Sequence, residues 1–289
     1  MPLPKNSEKP LRIPPWLRIK LPNSRNFSCT SGLIEDLNLS TVCSSAKCPN
    51  MWECYSRNVA TFLVMGEICT RNCAYCNITS GDLEAIDPGE PARVAEAAKR
   101  LELKHVVVTS VTRDDLPDGG AEHFASIIKT VRSELPTCTI EVLIPDFQGN
   151  ENALKTVLDA KPNVLNHNLE TVPDLYDTIR PQANYQQSLD LLTNSKRLAP
   201  GIPTKSGLMV GLGETDEQIM TVLDDLAAIG CDIVTIGQYM QPTRHHPLVK
   251  RYVEPEIFDK YAEAGHAKGI RNMFSAPLVR SSYNADKFV

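Results

Sequence analysis

The chain has 289 residues, 42% of them hydrophobic, and a formal net charge of -5, enough for one large α/β domain or two smaller ones with a sizeable core. This balance excludes a general nucleic-acid binder, whose footprint is strongly basic. No apolar run of about 18 residues and no charged-then-apolar leader marks a membrane span or a secretory signal. One cytoplasmic domain is the simplest expectation, since composition shows no break.

Residues 1–25 hold Lys5, Lys9, Arg12, Arg18, Lys20 and Arg25 against Glu8 alone, with six of the 21 prolines. That predicts an extended basic arm over the surface rather than a packed element. Next comes Cys43-x4-Cys48-x5-Cys54, too irregular for a strand. Short β-branched or apolar runs then alternate with helix-period stretches. The predicted strands are 60–65, 105–109, 139–144, 164–168, 205–210 and 232–236. The predicted helices include one opened by Pro91 with Val94, Ala98 and Leu101 on one face, one bearing Phe124, Ile127 and Val131, and one started by a Thr215/Gln218 capping box before Ile219, Val222 and Leu226.

Strand then helix, six times over, gives a parallel sheet with right-handed crossovers, either doubly wound or curved into an incomplete barrel. Ligands sit at the carboxyl ends of the strands in both. Polar clusters follow nearly every strand: the loop bearing Cys69, Cys73 and Cys76, then residues 109–115, His167-Asn168-Leu169-Glu170, Gly211-Leu212-Gly213-Glu214 and Gln238-Tyr239. Contributions from so many strands fit a barrel mouth better than a single switch point.

Nine cysteines are an odd number in a chain with no export signal, so metal binding accounts for them better than a disulfide framework. Cys29, Cys138 and Cys231 stand alone and read as buried apolar residues or unreactive thiols. The other six form two triads, Cys43/Cys48/Cys54 and Cys69-x3-Cys73-x2-Cys76. Three thiolates around a four-iron cube leave one iron open. Two zinc sites of three thiolates, each completed by a distant His, remain an alternative on spacing alone.

Cys69-x3-Cys73-x2-Cys76, with Tyr75 before the last cysteine, resembles the signature of radical S-adenosylmethionine enzymes. The upstream triad, Ala60-Thr61-Phe62-Leu63-Val64-Met65-Gly66, RDDLPDGGA at 113–121, NHNLET at 166–171, KSGLMVGLGET at 205–215, GQYMQP at 237–242 and Arg280-Ser281-Ser282-Tyr283 make the chain similar to the lipoyl synthase family, from about Pro14 to Tyr283. Ser44-Ser45 and Asn284 depart from the family pattern, off the ligand positions.

The resemblance implies an incomplete (β/α)6 TIM-like barrel at 59–275. An arm with the auxiliary-cluster segment at 1–58 and a C-terminal segment at 276–289 would cap its mouth. It implies a radical-generating [4Fe-4S] cluster on Cys69, Cys73 and Cys76 that binds S-adenosylmethionine, and an auxiliary [4Fe-4S] cluster on Cys43, Cys48, Cys54 and Ser282. The implied reaction inserts two sulfur atoms, at carbons 6 and 8 of an octanoyl chain on a carrier-domain lysine, and consumes two S-adenosylmethionine molecules. Ser282, with its three cysteines, is then the labile sulfur-donating centre. Gly119, Gly120, Asn168, Glu170 and Arg180 are the expected cofactor contacts.

The implied partners are an octanoylated carrier (2-oxoacid dehydrogenase E2 or glycine cleavage H protein), an electron donor such as ferredoxin or flavodoxin, and an iron–sulfur carrier, with neither nucleic acid nor membrane. His167 reads as structural, and His245 and His246 as surface residues with a possible acyl-lysine contact. Two rivals stay open: a radical enzyme whose upstream cluster only relays electrons, and a zinc-stabilised binding module.

Overall fold

The computed structural model describes residues 10–18, 25–283 and 285. Its centre is an eight-stranded sheet. Seven strands run parallel in chain order: β1 (Thr61–Val64), β2 (His105–Ser110), β3 (Thr139–Leu143), β4 (Val164–Asn166), β5 (Thr204–Val210), β6 (Ile233–Gln238) and β7 (Asn272–Ser275). The short strand Ser40–Thr41 joins β1 antiparallel, with Ser40 opposite Leu63. The crossover helices are α1 (Glu90–Arg100), α2 (Ala121–Glu134), α3 (Glu151–Asp159), α4 (Tyr185–Leu198), α5 (Asp216–Ala228) and α6 (Pro255–Ala267).

The strands are buried on both faces, so they read as near-continuous apolar runs. Phe62, Val108, Ile140, Val142, Leu165 and Val234 join Val94, Phe124, Ile127 and Val222 of the helices in one core. Each such side chain contributes about 1.5–3 kcal/mol on full burial. The alternate positions face inward. Leu63, Thr109, Leu143, Gly207, Met209 and Gly237, from five of the strands, line a single cavity of about 320 Å³. A flat sheet cannot present so many strands to one space, so the sheet curls into a partial barrel.

All six expected strands form, and the capping box that starts α5 is present on both sides. The seventh strand was not expected: Asn272-Met273-Phe274-Ser275 is short, half-polar and only partly buried, and pairs in register with Ile233–Ile236. Among the described residues nothing joins β7 to β1, so the barrel is open.

Two segments cover the mouth. The helix Arg25–Asp36 packs on Met51–Ser56, where Phe27 stacks on Trp52 at 4.2 Å and Thr30 Oγ1 donates to the Tyr55 carbonyl at 2.9 Å. After β7 the chain crosses back: Asn50 Nδ2 donates to the Leu278 carbonyl at 2.7 Å, and Tyr283 Oη to Glu53 Oε1 at 3.0 Å.

The expected basic arm lies largely outside the described residues. Its described part departs from a fully extended path, because Pro15–Leu17 form a 3-10 turn that buries Leu17 while Leu11, Ile13 and Trp16 stay exposed. Cys138 and Cys231 are buried as expected; Cys29 is exposed, on the outer side of its helix, and so is no core residue.

Candidate functional site

Cys69, Cys73 and Cys76 lie in the segment after β1, where Ile68–Cys69 pairs parallel with Thr79–Ser80 and the other two cysteines sit in the intervening loop, and all three line the cavity. That loop is pinned along its length. Thr70 N and Oγ1 both donate to the Thr112 carbonyl, at 3.0 and 2.9 Å, and Asp114 N donates to Thr70 Oγ1 at 3.1 Å. Asn72 N donates to Gln182 Oε1 at 2.6 Å, and Ala74 N to the Ile179 carbonyl at 2.9 Å. His246 meets the Cys76 carbonyl through Nε2 at 3.0 Å and Thr243 Oγ1 through Nδ1 at 2.8 Å, so it braces the cysteine loop rather than standing free. His245 is exposed.

At the centre of the loop Arg71, 5% exposed, grips two carboxylates. It donates to Asp114 through Nε at 2.7 Å and Nη2 at 2.9 Å, and to Asp146 through Nη1 at 2.8 Å and Nη2 at 2.6 Å. Burial pushes the Asp146 carboxyl up, and Arg71 outweighs that, holding it at about 2. Sequence reading missed this clamp; an arginine inside a cysteine loop was its only signal.

Across the cavity stand Asn168, Glu170 and Arg180. Asn168 Nδ2 donates to Glu170 Oε1 at 3.0 Å. Glu170 sits at φ 68, a left-handed conformation fixed by Glu170 N to the Gly207 carbonyl at 2.9 Å and Met209 N to the Glu170 carbonyl at 2.8 Å. Burial raises the Glu170 carboxyl despite Arg180 and Asn168. Arg180 Nη1 donates to the Asn168 and Leu169 carbonyls and to Tyr176 Oη, with its guanidinium 5.3 Å from the Tyr176 ring centre.

The upstream triad meets the same cavity. Cys43 sits on the helix Val42–Ser45, Cys48 in the following loop and Cys54 on Met51–Ser56. Cys43, Cys48, Ser281 and Ser282 line the cavity; Cys54 does not, but its thiol feels the charges of Cys43 and Cys48. Ser281 Oγ accepts from Asn168 Nδ2 at 3.4 Å, which turns it toward the Asn168–Glu170 side of the cavity.

The chain's own polar atoms fit the implied cofactors. Asn168 Oδ1, Arg180 Nε and Ser110 Oγ, on cavity-lining residues, are buried with no protein partner, a state costing about 1–3 kcal/mol each unless a ligand meets them. Burial pushes the Cys43 thiol up to about 11, and Cys54 and Cys76 up to about 12, so cationic iron is what would make them thiolates. Among the described residues no three His, Cys, Asp or Glu side chains gather closely enough for a single ion. A cube of four irons takes its ligands at separate corners, so the three thiols of a triad need not meet at one ion.

Gly119 and Gly120 do not reach the cavity; they turn the chain into α2 at φ 60 and 87, where Cβ atoms would strike Phe147 and Met65. The amides of Gly211, Leu212 and Gly213 all donate to the Glu214 carboxylate, so that rim loop satisfies itself. His167 is structural as read, with Nδ1 on the Ile144 carbonyl at 2.9 Å and Nε2 on Ser188 Oγ at 3.0 Å, and burial lowers it to about 4.

A model of the radical S-adenosylmethionine superfamily matches residues 63–226, and one of the N-terminal domain of lipoyl synthase matches residues 2–48. A lipoyl synthase of Oleidesulfovibrio alaskensis is 64% identical over 284 residues, covering 98% of this chain and 97% of that one. The chain belongs to the lipoyl synthase family. A second family member, from Caldanaerobacter subterraneus, is 54% identical over 276 residues and 96% of each chain. Solved structures of similar fold are methylornithine synthase (TM-score 0.50, 15% identity, 89% of this chain and 87% of that one) and Streptococcus suis SuiB bound to S-adenosylmethionine (TM-score 0.55, 12% identity, 78% and 52%). Superfamily membership implies a [4Fe-4S] cluster and S-adenosylmethionine for this chain. Among the described residues no helix is long and apolar enough to cross a membrane.

Proposed function

We propose that the chain is a radical S-adenosylmethionine sulfurtransferase that inserts two sulfur atoms, at carbons 6 and 8 of a protein-bound octanoyl-lysine, to give the lipoyl group. Cys69, Cys73 and Cys76 would hold one [4Fe-4S] cluster, and Cys43, Cys48, Cys54 and Ser282 a second. When bound, the first cluster with S-adenosylmethionine supplies a hydrogen-abstracting radical, two cofactor molecules per lipoyl group, and the second supplies the sulfur. The observation that carries the reading is that Cys69, Cys73 and Cys76, two of the three upstream cysteines, Cys43 and Cys48, and Ser282 line one largely apolar cavity.

The chain's residues bind, orient and exclude water. Glu170 and Arg180 present opposite charges to the two ends of a zwitterionic amino acid group, and Asn168 offers its unpartnered oxygen beside them. Val42, Leu63, Val111, Ile144 and Met240 give an acyl chain an apolar wall. Ser282 offers an alkoxide, harder than the thiolates that normally hold such clusters, and so the point from which iron leaves most readily.

The partners follow from the substrate: an octanoylated carrier of the E2 or H-protein kind, a ferredoxin- or flavodoxin-like reductant in the cytoplasm, and an iron–sulfur carrier to rebuild the second cluster. The test is mass spectrometry of an octanoyl-lysine peptide incubated anaerobically with reconstituted protein, reductant and S-adenosylmethionine. Labelled cluster sulfide is expected in the product, with about eight irons per chain at the start. Ser282→Ala should still cleave S-adenosylmethionine yet lose most sulfur insertion. Cofactor cleavage with no sulfur gain in the native protein would favour an electron-relaying second cluster and sink the proposal.

A further inference from the structure

Cys69 Sγ accepts two backbone hydrogen bonds, from Arg71 N at 3.4 Å and from Thr112 N at 3.3 Å. Both donors stand next to the clamp. One belongs to Arg71 itself, and the other lies two residues before Asp114. The Arg71 guanidinium ties the loop after β1 to Asp114 in the loop after β2 and to Asp146 in the loop after β3, with Asp146 fully buried and Asp114 22% exposed. Four charge-assisted bonds from one planar fork fix that loop's orientation as well as its distance. Ser80 Oγ adds a bond to the Arg71 carbonyl at 2.9 Å, which fixes the peptide on the other side of the same residue.

We infer that the Arg71–Asp114–Asp146 clamp is a positioning device that aims two amide dipoles at Cys69 Sγ and thereby sets the reduction potential of the cluster held by Cys69, Cys73 and Cys76. The inference rests on the placement of that cluster proposed above. A reduced cluster carries one more negative charge than an oxidised one. Amide hydrogens directed at a ligating sulfur stabilise that extra charge and raise the potential, one of the levers by which proteins tune such clusters. The clamp supplies none of this directly: its one cation and two carboxylates sum to a single negative charge, which on its own disfavours reduction.

That opposition of sign separates positioning from simple charge. Loss of a carboxylate removes negative charge and, by charge alone, makes the potential less negative; loss of the aimed amides makes it more negative. Arg71→Lys keeps the charge but cannot make the two-sided fork, and Asp114→Asn removes one charge and also the second of the two oxygens that Arg71 grips, turning an N–H group toward the guanidinium, so the hold on the loop after β2 is lost.

The experiment is a redox titration followed by electron paramagnetic resonance on the anaerobically reconstituted full chain, with iron content and melting temperature measured in parallel. Both variants are expected to shift the S-adenosylmethionine-responsive signal to a more negative potential, by about a tenfold change in the reduction equilibrium, or about 59 mV for one electron. An unchanged potential in Arg71→Lys, or a less negative one in Asp114→Asn, overturns the inference. If Arg71→Lys does not assemble the cluster, Asp114→Asn decides by the same sign. A native protein with no signal that responds to S-adenosylmethionine would instead refute the cluster assignment itself.

Discussion

His167 shows how one buried side chain links the site to stability. Burial lowers it from 6.5 to about 4, and both ring nitrogens are already bonded inside the molecule. A base whose folded value is depressed favours the fold while neutral. Its contribution is complete above the unfolded value of 6.5 and is lost as pH falls toward 4. Between pH 7.5 and 5 the native protein should therefore lose about 2 kcal/mol that His167→Gln does not, read as the change in urea midpoint. Asp146 does not confound this. Its carboxyl, held at about 2 against an ordinary 3.8, stabilises the fold above 3.8 and withdraws that support only below the range of the measurement. Equal pH dependence in the two proteins would show that the imidazole is not held neutral.

At the scale of single elements, the helix ends carry specific contacts that fix where each helix starts. Thr215 Oγ1 accepts from Gln218 N at 3.2 Å while Gln218 Oε1 accepts from Thr215 N at 2.8 Å, so two otherwise orphaned amides of α5 are satisfied. Thr215→Ala should cost about 1 kcal/mol in chemical denaturation without changing iron content. The start of α2 behaves differently. Gly120 adopts φ 87 with Met65 against the place a Cβ would occupy, so Gly120→Ala should destabilise by about 1–3 kcal/mol. Its folded fraction should bind S-adenosylmethionine as the native protein does, measured by titrating the cluster signal. Loss of binding in a fully folded Gly120→Ala protein would return that glycine to the cofactor site. A glycine pair in the sequence does not by itself separate a turn from a ligand contact, because either use requires a residue without a side chain.

The whole molecule brings together segments far apart along the chain. The bond from Asn50 to Leu278 spans 228 positions and is the inner tether of the C-terminal segment that carries Ser282. Asn50 is buried, so Asn50→Ala should release that segment. Early proteolysis near residues 278–283 is expected, with faster chelation of about half the irons while the other half stays bound. Uniform loss of all iron would mean that the tether serves both sites alike. Below the cavity, Lys205 Nζ donates to Glu141 Oε1 and Oε2 at 2.8 and 2.9 Å with both side chains fully buried. Burial pushes the Glu141 carboxyl up, and Lys205 with His105 overcomes it, so the floor of the barrel is a charged pair in a water-excluded place.

What the sequence determined by itself was local and periodic. Alternation and helical spacing are properties of neighbouring residues, so six strands, the helices between them and the two cysteine triads were legible, down to the capping box of α5. The spacing of Cys69, Cys73 and Cys76 called for an open iron, and the phrases around it called for one family. The tertiary structure alone decided which separated groups meet. Arg71 reaches Asp146 across 75 positions, Ser281 turns to Asn168 across 113, and the short strand Asn272–Ser275 exists because Ile233–Gln238 offers it an edge. None of these leaves a periodic trace, since each depends on the path of the whole chain around the barrel. The same path carries Gly119 and Gly120 away from the cavity and brings Cys43, Cys48 and Ser282 to the cavity that Cys69, Cys73 and Cys76 also line.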